Sequence, residues 1–281
     1  MRKMTIVGGS NWDQFYPVHS VPQAGESTHT RSASWENPGG ELATAATIAA
    51  LGHPVSLIST LGDDEAGHKI REAAQRPFLD AHFITVPYPT RKVIIQVIPS
   101  GERAITIEKL PSDKELFKLT REHKQVLART DYCWLSFIDD PELRITISRL
   151  VCGECGIPIR QLSEAVYYEE KYTLVIGSET EGMPVEEALL NVGCRFCVVT
   201  QGAAGGLYWQ PQQGWKNYIA ELVSNPIDLT GCGDSFRAGI LYALAQSRPV
   251  KEGIVLGAWL GARCAERLGN YPPLSLSPPF L

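Results

Sequence analysis

The chain has 281 residues, of which 44% are hydrophobic, enough apolar material to bury one large α/β core or two small ones. Its formal net charge of -5, without any basic run, argues against a nucleic-acid-binding protein. No apolar stretch approaches the ~20 residues of a membrane span, and the N-terminal apolar run is too short for a signal peptide. The sequence therefore predicts a soluble, cytoplasmic protein with neither nucleic-acid nor membrane partners.

The first part of the chain predicts a strand at 4–7 and then a stretch of different character. Residues 14–38 mix proline and glycine with β-prone pieces such as 27–35, which is typical of a small sheet or flap. Further on, two strand-like runs flank Ser100-Gly101 and predict a hairpin that lies beside this flap. The other elements predicted here are a helix at 41–51, a strand at 55–59, a loop at 61–63 and a helix at 64–74, and the hairpin strands are 92–98 and 103–107.

From residue 132 onward, strands and helices alternate. They are predicted at 132–137 (strand), 141–151 (helix), 157–161 (strand), 174–176 (strand), 184–190 (helix), 196–200 (strand), 209–215 (hairpin) and 254–262 (buried helix), before an irregular tail from 271. Such alternation is typical of right-handed βαβ units. The predicted fold class is α/β, a doubly wound and mostly parallel sheet with helices on both faces. Functional groups then belong at the carboxyl ends of its strands.

The most informative stretch is 228–244, which reads DLTGCGDSFRAGILYAL. Apolar residues recur at helical spacing in its second half, so Asp234 or its neighbour lies at a helix N-terminus. Backbone N–H groups there have no partner inside the helix, and together with the helix dipole they form an anion site. We expect the N–H groups of Gly231, Cys232 and Gly233 to hold charge on a transferred phosphoryl group.

Asp234 has two interpretations. It is suited to act as a general base that takes the proton of an attacking hydroxyl beside this anion site. Taken alone, it is equally well explained as a helix cap, because aspartate is a favoured capping residue.

The seven cysteines include two C-x-x-C pairs, Cys152 with Cys155 and Cys194 with Cys197. The interval between the pairs is too long for a zinc ribbon, which favours free thiols over zinc ligands. Cys232 is a separate case, since a thiol at a helix start can be activated. The small residues of 254–262, among them Ala258, fit either close helix packing or a flat adenine ring.

The 228–234 segment, DLTGCGD, resembles the D-x-T-G-A-G-D signature of the ribokinase-like (PfkB) carbohydrate kinases, with Cys232 in place of the usual alanine. Weaker elements follow in the family's order from Asp13 to Gly269. The resemblance implies a single domain over 1–281, Asp234 as the catalytic base, and a β lid formed by about 14–38 and 92–107.

The resemblance also implies binding residues. Asn11 and Asp13 are similar to the residues that hold sugar hydroxyls, and Gly39-Gly40 match the start of the first signature. Residues expected to bind the nucleotide are Ser178, Thr200, Gln201, Gly202, Gly205 and Ala258. Metal positions are Glu181, which organises magnesium through water, and Asp228 with Thr230, which fall where many members bind a monovalent cation.

Three positions depart from the family pattern. Thr44 stands where an asparagine usually binds substrate, with Glu41 and Leu42 in place of a glycine-rich pair, so the family's commonest sugars are in question. Ser178 replaces the asparagine of the N-x-x-E motif. Arg160 follows a predicted strand, either as a surface arginine or as a contact for an acidic or phosphorylated substrate.

The resemblance implies a kinase that transfers the γ-phosphoryl group of ATP to an alcohol of a sugar-like molecule, with Mg²⁺ and in many members K⁺. A nucleoside kinase is the alternative within the fold, since aromatic residues such as Trp12, Phe15 or Trp35 either stack on a base or form the lid core. A non-catalytic binding subunit is the alternative outside the enzymes. Lids of this type also pair between subunits, which allows a homodimer.

Overall fold

The computed structural model describes residues 2–111, 113–136 and 138–278. Its strands are β1 (Met4–Val7), β2 (Ser10–Pro17), β3 (Trp35–Gly40), β4 (Val55–Gly62), β5 (Leu79–Val86), β6 (Lys92–Val97), β7 (Arg103–Ile107), β8 (Tyr132–Leu135), β9 (Glu154–Pro158), β10 (Leu174–Ser178), β11 (Phe196–Thr200), β12 (Gly206–Gln210) and β13 (Gly214–Tyr218). Its α-helices are α1 (Glu41–Ala50), α2 (Glu65–Ala73), α3 (Asp113–Leu116), α4 (Arg121–Leu127), α5 (Pro141–Leu150), α6 (Leu162–Tyr167), α7 (Glu186–Asn191), α8 (Cys232–Ala245) and α9 (Val250–Ala265). No helix in the described ranges is long and apolar enough to cross a membrane.

The larger sheet runs in the order β13-β12-β11-β10-β9-β8-β1-β4-β5. All pairs from β11 to β5 are parallel, whereas β12 pairs antiparallel with both β11 and β13. The chain order of the strands changes direction at β1, since β4 and β5 lie on one side of it and β8 to β13 on the other. A crevice at the carboxyl end of β1 is therefore where a doubly wound sheet places its ligand site.

Successive side chains of the parallel strands point to opposite faces of the sheet and belong to two separate hydrophobic cores. Val7 of β1 and Leu135 of β8 point to the face covered by α4 to α7, whereas Ile6 and Trp134 point to the face covered by α1, α2, α8 and α9. Burial on both faces explains why these strands read as continuous apolar runs. The predicted doubly wound fold, with helices on both faces, is confirmed.

The second sheet has the order β3-β2-β6-β7 and lies over the carboxyl end of β1, because β2 follows β1 after only Gly8-Gly9. Its small core contains Phe15, which is stacked on Trp35 with ring centroids 5.1 Å apart. The turn between β6 and β7 reaches the segment before α8, where the Gly101 carbonyl accepts from Leu229 N–H at 3.2 Å.

Several element boundaries differ from those predicted. The strand predicted at 157–161 is β9 at Glu154–Pro158, followed by a 3₁₀ turn at Ile159–Gln161 that contains Arg160. The loop predicted at 61–63 overlaps the end of β4, and the β-prone piece 27–35 becomes a strand only at Trp35. The strand predicted at 132–137 ends at Leu135, and Phe137 lies outside the described residues, as do residues 279–281 of the predicted tail.

Candidate active site

The anion site predicted at 231–234 is the first turn of α8. Gly231 precedes the helix with φ at 79°, and a Cβ built on it would lie 2.2 Å from the Cβ of Asn270, so only glycine fits there. A Cβ on Gly233 would meet nothing within 4 Å. The space beside Gly233 is therefore open, and an anion would fit there next to the N-terminal turn of the helix. The Cys232 N–H lies 3.4 Å from the Leu229 carbonyl oxygen.

Asp234 lies in this first turn, and its carboxylate is paired with Arg237 one turn further on. Arg237 Nη2 donates to Asp234 Oδ1 at 2.7 Å, to Glu41 Oε1 at 2.9 Å and to Thr44 Oγ1 at 2.8 Å. The Asp234 side chain is 29% exposed, whereas that of Glu41 is 0% exposed. One arginine thus joins the predicted base on α8 to two buried side chains of α1.

The charge of Glu41 depends on this pairing. Burial raises the pKa of Glu41, and the nearby Arg237 charge opposes that rise. Sequence reasoning missed Arg237, although an arginine one turn after Asp234 in an otherwise apolar helix is itself a signal of a buried charge pair. Thr44, predicted to bind substrate, is fully buried with its hydroxyl engaged by Arg237.

Asp13, on β2, is 3% exposed. Its Oδ2 accepts from Asn270 Nδ2 at 2.9 Å, while among the described residues no donor reaches Oδ1. Burial raises the pKa of Asp13 to about 7, a rise opposed by the Asn270 hydrogen bond and increased by the charges of Asp234 and Asp228. A buried carboxylate oxygen without a partner is suited to accept from a ligand hydroxyl.

The remaining predicted substrate residues surround Asp13. Gly39 packs directly against it, because a Cβ on Gly39 would lie 1.9 Å from Asp13 Oδ2. Asn11 lies opposite Gly39 in the pairing of β2 with β3, and its amide nitrogen would be 3.0 Å from a Cβ on Gly40. Asn11, Asp13, Gly39 and Gly40 therefore come together at one end of the small sheet.

Asp228 and Thr230, the predicted monovalent-cation residues, are both buried and directly precede the first turn of α8. Asp228 accepts from the N–H of Thr230 at 2.9 Å and from that of Gly269 at 3.0 Å. Within the described residues, the buried Thr230 hydroxyl has no hydrogen-bond partner.

Ser178 is the last residue of β10, and Glu181 lies in the short turn that follows it. Ser178 caps the short 3₁₀ turn Glu179–Glu181. The two oxygens of Glu181 accept from the backbone N–H groups of Ser178 at 3.2 Å and of Arg160 at 3.1 Å. These bonds fix the Glu181 carboxylate in place and leave its other lone pairs for water.

The predicted nucleotide loop follows β11, beside the end of β10, since Thr200 pairs in register with Ser178. Gln201 contacts Glu179 at 3.0 Å, and Gly202 and Gly205 both have positive φ. Ala258 lies on α9, which packs closely on α8: a Cβ on the adjacent Gly257 would lie 2.5 Å from the Phe236 carbonyl. Helix packing therefore accounts for Gly257.

The cysteines lie in different environments. Hydrogen bonding with Cys264, together with burial, raises the pKa of the Cys232 thiol, contrary to the activation expected of a helix start. Cys152 is exposed, whereas Cys155, Cys194 and Cys197 are buried. In the described ranges no group of three or more His, Cys, Asp or Glu side chains could hold a metal ion.

Comparison with known proteins gives consistent results. Residues 175–275 match the model of the pfkB family of carbohydrate kinases. A ribokinase of Haemophilus influenzae is 22% identical over 92% of this chain and 90% of its own length. A guanosine-inosine kinase of Exiguobacterium acetylicum is 22% identical over 93% of this chain and 94% of its own length.

Solved structures share the fold along nearly the whole chain. A ribokinase from Thermotoga maritima superposes with a TM-score of 0.78 at 22% identity, covering 97% of this chain and 96% of that one. Arabidopsis thaliana ribokinase, complexed with ribose and ATP, superposes with a TM-score of 0.74 at 18% identity, covering 97% and 96% of the two chains. Residues 175–275 thus match the pfkB family of carbohydrate kinases, and nearly the whole chain shares the fold of these ribokinase structures.

Proposed function

We propose that the protein transfers the γ-phosphoryl group of ATP to a hydroxyl of a sugar-like acceptor. The observation that carries the proposal is the first turn of α8, where Asp234 follows Gly233 and the space around the Cβ position of Gly233 is open. Phosphoryl transfer requires positioning and charge stabilisation more than covalent chemistry, and this arrangement can supply both.

Asp234 acts as the general base. Arg237 engages Oδ1 of the Asp234 carboxylate, which orients the side chain and leaves Oδ2 for the acceptor hydroxyl. As the hydroxyl oxygen forms its bond to the γ-phosphorus of ATP, the bond from that phosphorus to the β,γ-bridging oxygen breaks and ADP leaves. The proton of the hydroxyl passes to Oδ2 of Asp234. The N–H groups of Gly231, Cys232 and Gly233 stabilise the charge on the transferred group.

Acceptor and nucleotide approach Asp234 from two sides of the cleft. Asn11, Asp13, Gly39 and Gly40 bind acceptor hydroxyls, and the unpartnered Asp13 Oδ1 is the best placed acceptor among them. ATP lies along the ends of β10 and β11. Its binding residues are Ser178, Thr200, Gln201, Gly202, Gly205 and Ala258.

The residues present fit the two cations of the proposal. Magnesium would neutralise charge on the ATP phosphates, and Glu181, held by two backbone N–H groups, would bind it through water. Asp228 and the unpartnered Thr230 hydroxyl are hard oxygen donors, as a potassium ion requires. The small sheet would close over the acceptor and exclude water.

The stacking of Phe15 on Trp35 favours a sugar over a nucleoside. Phe15 is fully buried, and the two rings lie at an interplanar angle of 7° within the small sheet. The two rings pack against each other in the core of the small sheet. Of the three aromatic side chains, only Trp12 therefore remains to stack on a base.

Asp234→Asn tests the assignment because it keeps the shape of the side chain and removes the base. We expect ADP production with a panel of sugars and nucleosides, measured with magnesium and with or without potassium, to fall by ~10²- to 10⁴-fold. Glu252→Gln is the control, since Glu252 is also an acid in the first turn of a helix but lies on α9. Unchanged turnover in D234N would refute the role of Asp234.

Binding of magnesium-ATP, measured by calorimetry, separates a kinase from a non-catalytic subunit. The proposal requires the parent protein and D234N both to bind it. A parent protein that binds no magnesium-ATP would favour the binding-subunit alternative.

A further inference from the structure

Arg91 lies in the acceptor half of the cleft. It directly precedes β6, and its Nη1 lies 3.1 Å from the position of a Cβ on Gly9, the residue that follows β1 and Gly8. The lining of a small cavity at this point includes Arg91 and residues that follow β1 or end β4. These are Gly9, Ser10, Thr60, Leu61 and Gly62.

The same part of the backbone carries the proposed acceptor residues. The Arg91 carbonyl accepts from Trp12 N–H at 2.8 Å, which aligns it with β2 between Asn11 and Asp13. Gly40 lies against the other side of Gly9, since a Cβ on Gly40 would be 2.4 Å from the Gly9 carbonyl oxygen. The Arg91 guanidinium and the proposed acceptor residues therefore surround the same strand end.

Arg91 also lacks a counter-charge. Its side chain is partly buried, and Nε is buried without a hydrogen-bond partner among the described residues. Over the same ranges, no carboxylate oxygen lies within 4.0 Å of its guanidinium nitrogens, whereas the buried Arg144 has Glu170 and Glu164. Withdrawing an arginine from water without a partner is unfavourable, and an anionic ligand would remove that cost.

We propose that the acceptor carries an anionic group, a carboxylate or a phosphate, and that Arg91 binds it. This inference rests on the proposed kinase function and narrows its substrate class to an acidic sugar or polyol. The planar fork of the guanidinium suits either group, because it can donate two parallel hydrogen bonds. It also offsets the repulsion that Asp13 and Asp234 would exert on an acidic ligand.

Polyols of similar shape, with and without an acidic group, test whether the charge of the acceptor matters for binding. D-Gluconate and D-glucitol 6-phosphate are compared with neutral D-glucitol by calorimetry at low ionic strength, with the parent protein, R91Q and R91K. We expect at least one acidic probe to bind the parent more tightly than D-glucitol, and R91Q to bind it about 10- to 100-fold more weakly. R91K should recover part of the loss, since lysine keeps the charge but not the fork.

Lys92→Gln is the matched control, because Lys92 is the exposed neighbour of Arg91 and its replacement removes the same positive charge. Equal loss in K92Q and R91Q, or no preference of the parent for acidic probes, would overturn the inference. Weaker binding of magnesium-ATP to R91Q, at unchanged acid binding, would also overturn it, because Arg91 would then serve the nucleotide.

The outcomes for the kinase and for the acidic acceptor are distinct. ADP formation from neutral sugars at equal rates in the parent and R91Q would support the kinase and refute the acidic acceptor. Acid binding that depends on Arg91, in a protein that binds no magnesium-ATP, would support the anion site and refute the kinase.

Discussion

The carboxyl group of Asp13 is buried, and the free energy that its burial costs depends on pH. Its pKa is raised by burial to about 7, from an ordinary value of 3.8. Because the folded-state pKa lies above the unfolded one, this group favours folding most below about pH 4. That contribution is lost as the pH rises through about 7.

Asp13→Asn should therefore change stability in a pH-dependent way. Above about pH 8, D13N should be more stable than the parent by up to about 4 kcal/mol, and by much less near pH 4, as measured by urea unfolding. Asp63→Asn, at a side chain that is 82% exposed, should change stability little at either pH. A D13N effect independent of pH would contradict the burial argument, and weaker acceptor binding by D13N would support its proposed role.

Local pattern identifies some of these residues and not others. The helix period and the glycines at 231 and 233 predicted a helix start beside Asp234, because backbone conformation there is dictated locally. The bonds of Arg237 to α1 and of Asn270 to Asp13 were not predicted. They join residues 193 or more positions apart, and such contacts are created by packing.

The pairing of α1 with α8 is the main charged contact between elements near the site. Arg237 and Glu41 meet at 2.9 Å with side chains 11% and 0% exposed, and the Arg237 guanidinium lies 5.2 Å from the Trp134 ring centroid. A buried pair of this kind contributes little net stability, but breaking it leaves one charge uncompensated.

Arg237→Met should consequently destabilise the fold by about 3–5 kcal/mol in urea unfolding, because Glu41 would remain buried without its partner. The double variant E41Q/R237M should recover much of that loss. Arg248→Met, which removes an exposed pair with Glu252 at 3.6 Å, should cost no more than about 1 kcal/mol. A double variant as unstable as R237M alone would show that the pairing is not the cause.

Element types were more predictable than element edges. The parallel strands stand out as apolar runs because both faces are buried, and Phe196–Thr200 begins and ends as predicted. The strand β5 was missed because it is the edge strand of the sheet and alternates polar with apolar residues only in part. The strand β9 was shifted because the apolar run continues through Ile159, which is buried in the following 3₁₀ turn.

At the scale of the molecule, the small sheet and the segment before α8 are in direct contact. The Gly101 carbonyl accepts from Leu229 N–H at 3.2 Å, and a Cβ on Gly101 would lie 3.5 Å from both Leu229 Cγ and Pro226 Cβ. A ligand that orders the turn before α8 should therefore also hold the tip of the β6–β7 hairpin.

Hydrogen exchange tests this coupling. On addition of magnesium-ADP, we expect amides of 98–103 and of 229–234 to exchange more slowly together. The hairpin turn between β12 and β13, at 211–213, serves as the internal control and should not respond. Protection confined to 229–234 would show that the two regions move independently.

Topology followed from the alternation of strands and helices, because connection rules leave few arrangements for such a chain. The tail was predicted only as irregular, which describes its backbone but not its contacts. Arg76 donates to the carbonyls of Pro272 and Pro273, and Leu276 N–H bonds to the Ala50 carbonyl. Proline-rich segments carry no periodic pattern from which such contacts could be predicted.

The position of Gly269 and Asn270 has a consequence for biosynthesis. Gly269 N–H holds Asp228 and the Asn270 amide holds Asp13, so both carboxylates depend on residues made late. Although the earlier strands can pair while translation continues, the cleft cannot be completed until residue 270 has emerged from the ribosome. A nascent chain stalled before that point would carry the carboxylates of Asp13 and Asp228 without these last donors, and should bind neither the proposed acceptor nor the proposed cation.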